Sequence, residues 1–250
     1  MAIRLFCINL KRSVLRRKEF DAMWVKGLGF RVEYFDAVDK HTIPNSDLDR
    51  GRRELEKLSF SPYGTFGNHR YSLSGVMGCS LSHKYLLKSI EQDLAEDGVV
   101  VFEDDVVPLE GADKLEERIS LVRRHSPQIE AIICNGFVEP RRMYGWQILN
   151  NTMHGKRVDW DESVHATPIK GAAAALVKIS PPGSFFVWYS RGGVARMIDL
   201  IEGREFLSVD TLYGAFAHQG VLAILTPGLG YHPSNKSQID TPPFTMQYAN

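Results

Sequence analysis

Short, nearly unbroken apolar runs alternate along the chain with longer segments whose apolar residues recur every three or four positions. The first run, IRLFCINL at 3–10, has the branched and aromatic character of a buried strand. KRSVLRRKEFDAMWVKGLG then predicts a helix, with Ser13 placed to cap it, Val14, Phe20, Trp24 and Val25 as a rough apolar face, and KGLG as its stop. FRVEYFDAV alternates as a second strand, so the chain opens as a βαβ unit on a parallel sheet.

Residues 40–75 are polar and turn-rich. NSDLDRGRRELEKL predicts a helix capped by Asn45 or Ser46, and SPYGTFGNHR after it reads either as a flap over a ligand or as a passive insertion. SLSHKYLLKSIEQDLAEDG predicts a helix with Leu86, Leu87, Ile90 and Leu94 on one face and Gly98 at its end. VVVF, AIICNGF at 131–137 and SFFVWYS read as strands, RGGVARMIDLIEG as a helix, and VLAILTPGLGYHP as the last strand. The 138–170 stretch turns polar, and the tail beyond Ser234 reads as loose.

The order predicts an α/β fold: one mixed, mostly parallel central sheet flanked by helices. No repeat or linker divides the chain, so 1–250 is expected to be a single domain. Ligands in such sheets sit at the carboxyl ends of the strands.

Composition narrows the function. The 30 basic and 30 acidic residues cancel, which argues against bulk electrostatic binding of nucleic acid. The three cysteines form no CxxC pair and fit reduced thiols in the cytoplasm, with Cys7 and Cys134 as core residues. The start lacks the pattern of a secretory signal, and no run reaches the ~18 apolar residues of a membrane span. The expectation is a soluble protein, or one peripheral to a membrane.

The chemistry concentrates in GVVVFEDDVVP, 98–108, where three acids end an apolar strand. If the extended backbone persists, Glu103 and Asp105 point one way and Asp104 the other. Such a pair suits Mg²⁺ or Mn²⁺, with substrate phosphates completing the shell. The competing reading is a turn leaving the sheet.

FCINLKRSVLRR, FDAVD, GVMGCSLSH, VVVFEDDV and SVDTL together resemble glycosyltransferase family 25, in its order, from residue 3 to about 215. This family includes lipooligosaccharide and collagen galactosyltransferases. The resemblance implies a GT-A-type, Rossmann-like fold and inverting transfer of a hexose, typically galactose, from a UDP-sugar. UDP-glucose as donor stays open. A saccharide or glycolipid acceptor such as lipopolysaccharide would place the enzyme in the cytoplasm at the inner membrane face. Residues 1–110 would be mainly the donor half and 111–235 mainly the acceptor half, with 236–250 the loose tail.

By the same resemblance, Asn9, Leu10, Arg12 and Arg16 contact the donor, while Arg17 and Lys18 form a solvated face. Asp36, Ala37, Val38 and Asp39 match FDAVDG and would meet uracil or ribose, although Lys40 stands where the family usually has glycine. Gly78, Ser82 and His83 open the helix before the acidic strand and would meet phosphate or sugar, with Ser80 or Ser82 as its cap. Cys79 is read as a small packing residue. Asp105 is expected to be the direct Mn²⁺ or Mg²⁺ ligand, Glu103 its partner and Asp104 a ribose or sheet contact. His232 is expected as a late metal ligand.

Asp210 is expected to be the catalytic base, with a helix N-cap as the alternative and Asp159, Asp161 and Glu162 as rivals. Trp146 and Trp160 would stack on acceptor sugars or pack. Two other classes remain: a nucleotide- or saccharide-binding module without turnover, and a nucleotidyltransferase, which NLKRSVLRR disfavours because it lacks a glycine-rich phosphate loop.

Overall fold

The computed structural model of the protein describes residues 3–57, 73–94, 98–135, 143–149, 152–158, 166–178 and 185–231. β1 (Arg4–Asn9) lies between β2 (Glu33–Asp36) and β3 (Val99–Glu103), parallel to both. β10 (Phe186–Tyr189) follows, antiparallel to β3 and to β5 (Ala131–Ile133). β11 (Leu222–Leu225) runs parallel to β5, and the antiparallel strands β9 (Ala174–Val177) and β8 (Ala166–Pro168) complete an eight-stranded sheet. Six of the eight strands share one direction, and only β9 and β10 oppose it. The expected mixed, mostly parallel sheet is therefore present, with SFFVWYS as an antiparallel insertion at its centre.

Both faces of this sheet are covered, which is why its strands are apolar throughout rather than alternating with polar residues. Val99 and Val101 of β3, Val187 and Tyr189 of β10 and Leu222 and Ile224 of β11 share one core. It is closed by α2 (Asn45–Lys57), α3 (Leu73–Ile90), α5 (Arg191–Ile201) and α6 (Val209–His218). Val100, Phe102, Phe186, Trp188, Ala223 and Leu225 face the other side. There they meet Phe20 and Trp24, from α1 (Val14–Phe20) and the wider π-type turns at Asp21–Gly27, and α4 (Ala112–His125). Trp24 is wholly buried among Phe20, Phe30 and Phe102, and its Nε1 donates to the Val106 carbonyl at 2.8 Å. That bond fixes the backbone just past the acid triplet.

Several local expectations are corrected. Val14 is exposed rather than part of the apolar face of α1. Neither Asn45 nor Ser46 caps α2, because the helix starts at Asn45 and the Pro44 carbonyl accepts its first bonds. α3 begins at Leu73, so GCSLSH lies inside it, and it ends at Ile90 rather than Gly98. The last run stops as a sheet strand at Leu225, and Gly230–Tyr231 (β12) pairs instead with Val107–Pro108 (β4). The polar middle contains a hairpin of β6 (Met143–Leu149) and β7 (Thr152–Val158).

Gly98 begins the acidic strand at φ +83°, and a Cβ there would lie 2.2 Å from the Tyr189 carbonyl oxygen. Gly98→Ala should therefore cost about 2–3 kcal/mol, through both backbone strain and overpacking. Urea unfolding measures this, and an unchanged midpoint would contradict it.

Candidate active site

A cleft opens where β1, β2 and β3 end side by side, with Asn9 paired to Asp36 and Ile8 to Glu103. Its lining comes from four separate segments: Leu10, Arg12 and Arg16; Ala37, Val38 and Lys40; Gly78, Cys79, Ser82 and His83; and the three acids. The α3 segment reaches the β2 loop because Gly78 has no side chain. A Cβ there would stand 3.0 Å from the Val38 carbonyl oxygen. Ser82 Oγ completes the join, donating to the Gly78 carbonyl at 2.6 Å and accepting from the Val38 N–H at 2.8 Å. Ser80 Oγ donates instead to the Leu207 carbonyl at 2.5 Å, so neither serine is an N-cap.

The acids do not alternate as an extended strand would. Glu103 keeps strand geometry, on the face shared by Val99 and Val101, and looks toward α3. The next residues turn, closed by a bond from Val106 N–H to the Glu103 carbonyl at 3.4 Å. Asp104 and Asp105 consequently both meet Arg16, whose two terminal nitrogens lie 3.0 Å from Asp104 Oδ1 and 2.6 Å from Asp105 Oδ2. Asn9 Nδ2 donates to Asp104 Oδ2 at 2.6 Å. The expected Glu103–Asp105 pair on one face is thus replaced by an Asp104–Asp105 pair on Arg16. Burial, partly opposed by the Arg16 charge, raises the Asp104 carboxyl to about 6.

Arg12 projects to the cleft mouth and is held by Asp39, with Nε 2.5 Å from Oδ2. That bond, helped by the His41 N–H, holds the Asp39 carboxyl down at about 2. Ala37 N–H donates to the Asn9 carbonyl at 3.0 Å, and Val38 N–H is taken by Ser82, so these residues offer a ligand side chains and carbonyls rather than N–H groups. Asp36 is exposed at the strand end and Asn9 is buried behind Asp104, so both lie outside the cleft lining, with Asn9 tied to it through Asp104.

His83 is 2% exposed, and neither ring nitrogen has a hydrogen-bond partner. Its Nε2 lies 3.8 Å from Glu103 Oε1, and Cys79 Sγ lies 3.6 Å from the same oxygen. Cys79, His83 and Glu103 thus bring three ligand atoms within 4.8 Å of one another. Burial, then the Glu103 and Asp210 charges, pushes the Cys79 thiol well up.

Asp210 is half-buried in the first turn of α6. Ser208, not Asp210, caps that helix, accepting from the Thr211 N–H at 3.3 Å. The segment before α6 is tied to α3 by the Ser80–Leu207 bond and by Lys84 Nζ, 2.7 Å from Glu205 Oε1. Asp210 and Glu103 both act electrostatically on Cys79, Tyr189 and Tyr213, so the two acids flank one buried region.

Sequence reasoning missed Lys40 as a cleft residue, although its position in FDAVDK was a signal; it placed Cys79 at the pocket, but as a packing residue. His232, Trp160, Asp159, Asp161, Glu162 and the SPYGTFGNHR segment lie outside the described residues, as does the side chain of Trp146.

The profile of glycosyltransferase family 25 (LPS biosynthesis protein) matches residues 2–137, over half of the chain and four of the five motif segments. The protein belongs to this family and is a glycosyltransferase. No curated protein matches it. Among solved structures it is similar to UTP-bound UGPase from Acinetobacter baumannii, at 11% identity and TM-score 0.43, covering 92% of this chain and 87% of that one. It is also similar to mouse xyloside xylosyltransferase 1 in its apo form, at 9% identity and TM-score 0.40, covering 89% and 84%. A197 from STIV aligns at 14% identity and TM-score 0.40, covering 93% and 86%. Likenesses this distant bear on none of the chemistry below. Among the described residues no helix is long and apolar enough to cross a membrane.

Two outcomes test the Arg16 cluster. Arg16→Met removes the one guanidinium that meets both Asp104 and Asp105 and should cost about 3 kcal/mol in urea unfolding. Because Asp104 lies above its usual 3.8, folding favours its protonated form. Its contribution to stability is full below the usual value and is lost as pH rises through about 6. Without divalent ions, Asp104→Asn should therefore gain on the parent by on the order of 2 kcal/mol between pH 4 and pH 7. A constant difference across that range would rule out the shift.

Proposed function

We propose that the cleft binds a UDP-sugar and that the enzyme transfers its hexose, galactose by family habit, to a saccharide or glycolipid acceptor with inversion. A GT-A-type donor site of this kind is supported chiefly by one observation: four motif segments, far apart in sequence, converge on one cleft at the carboxyl ends of three parallel strands. The cleft lining holds Lys40 for a diphosphate, with Arg12 and Arg16 beside it, which would exchange part of their pairing with Asp39, Asp104 and Asp105 for the phosphates. Ala37 and Val38 form an apolar wall suited to the flat face of a base.

Transfer is then a single in-line displacement. The acceptor hydroxyl oxygen forms a bond to the anomeric carbon as the bond from that carbon to the diphosphate oxygen breaks. Its electron pair leaves on the diphosphate, where Arg12, Arg16 and Lys40 offset the growing charge. Asp210, carried on the first turn of a helix beside α3, takes the hydroxyl proton.

A divalent cation fits at Glu103, with Cys79 and His83 beside it, better than at Asp105, whose carboxylate is committed to Arg16. When bound it would supply Lewis-acid stabilisation of the leaving diphosphate. The β6–β7 hairpin belongs to the half we assign to the acceptor. A glycolipid acceptor would set the enzyme at the cytoplasmic face of a membrane.

Calorimetry with UDP and turnover of UDP-galactose against UDP-glucose test this reading. Lys40→Ala should weaken UDP binding roughly tenfold, as for a charge-assisted contact of about 1.5 kcal/mol. Asp210→Asn should retain donor affinity while turnover falls by about 10²–10⁴-fold. Loss of donor binding with turnover intact at saturation would refute the base assignment.

A further inference from the structure

Cys79 and His83 stand one helical turn apart on α3, so their side chains share a face. Glu103 ends β3 on the sheet face that α3 covers. A tetrahedral cation bound by one sulfur, one imidazole nitrogen and one carboxylate oxygen holds those atoms about 3.3–3.7 Å apart. Here the sulfur and the nitrogen lie 3.6 and 3.8 Å from Glu103 Oε1, and all three atoms fall within 4.8 Å. Closing the sulfur-to-nitrogen separation onto a cation needs a side-chain shift of at most about 1 Å rather than a new fold.

His83 supplies an independent observation. A buried imidazole normally gives its N–H to an acceptor and receives a bond at its other nitrogen. His83 does neither, although its Nε2 faces Glu103. A metal at Nε2 would supply one of the missing bonds. Arg16 explains why the neighbouring acids stay out of the group: it holds Asp104 and Asp105 on the opposite side of the strand end.

We infer that Cys79, His83 and Glu103 form a binding site for a borderline-soft divalent cation of the Zn²⁺ or Co²⁺ class, with its open coordination position toward the donor cleft. Thiolate and imidazole favour such ions over Mg²⁺, which demands an oxygen shell. Three protein ligands and one open position are the arrangement of catalytic rather than structural zinc. Binding displaces the Cys79 proton to solvent, so affinity rises with pH. The site deepens the donor-cleft reading, since the open position would meet the donor diphosphate, yet its geometry does not depend on that reading.

Titration of the metal-free full chain with Co²⁺, followed by absorbance, tests the site without donor or turnover. One equivalent should give a sulfur-to-cobalt charge-transfer band in the near ultraviolet, abolished by equimolar Zn²⁺ and unaffected by excess Mg²⁺. Cys79→Ser should lose the band, and His83→Gln should weaken Co²⁺ binding at least tenfold. No band in the parent protein, or a band that persists in Cys79→Ser, overturns the proposal. Should the serine variant fail to fold, maleimide labelling of the parent protein read by mass spectrometry decides. Zn²⁺ should slow modification of Cys79 at least tenfold relative to Cys7 and Cys134, and an unchanged rate overturns the site. A cobalt band without UDP binding would leave the site standing and remove the donor reading, and UDP binding without a band would do the reverse.

Discussion

Arg16 is the charge on which the end of the sheet depends. Three adjacent carboxylates at the carboxyl end of a buried strand repel one another, and burial alone would drive them toward their protonated forms. One guanidinium, carried in from α1, pairs with two of them at 3.0 and 2.6 Å. Its planar fork suits this task because two nitrogens serve two carboxylates at once, which an ammonium on a lysine would not do with the same geometry. Asn9 adds a neutral donor to Asp104, so β1, α1 and the turn after β3 become one unit. Trp24 secures the far side of that turn through the Val106 carbonyl.

This division decides what the acid triplet can do. With Asp104 and Asp105 both held by Arg16, Glu103 is left facing α3, where the helix supplies a thiol and an imidazole rather than more carboxylate. The cleft is therefore partitioned by chemistry. Basic side chains from the first and second strand ends make one wall, and a mixed sulfur, nitrogen and oxygen group makes another. A nucleotide diphosphate laid between them would meet basic side chains on one side and, once a cation is bound, a Lewis acid with an open coordination position on the other.

Much of the sheet was readable because its strands are buried on both faces. Val99 to Phe102 and Phe186 to Tyr189 are apolar at every position, a pattern that marks a covered sheet without further information. The direction of β10 was not readable, because an apolar run carries no sign of which way it enters the sheet. The start of α3 was hidden by glycines that elsewhere mark turns. Gly78 serves instead to let the helix approach the Val38 carbonyl.

The site shows the same limit more sharply. Asn9, Arg16 and the acids were legible as motifs, but their grouping was not, because it follows from a turn closed by a single bond between Val106 and Glu103. Had the strand continued, Asp105 would have joined Glu103 as the alternation rule requires. Cys79 carried no local sign of chemistry, since its partner carboxylate is 24 positions away in the chain. Only the packing of α3 on β3 brings them together. That packing also leaves His83 buried with both nitrogens unpaired. A fold does not retain such a group cheaply unless something arrives to complete it. A cation at Cys79, His83 and Glu103 would turn that unfavourable burial into the means of holding the donor.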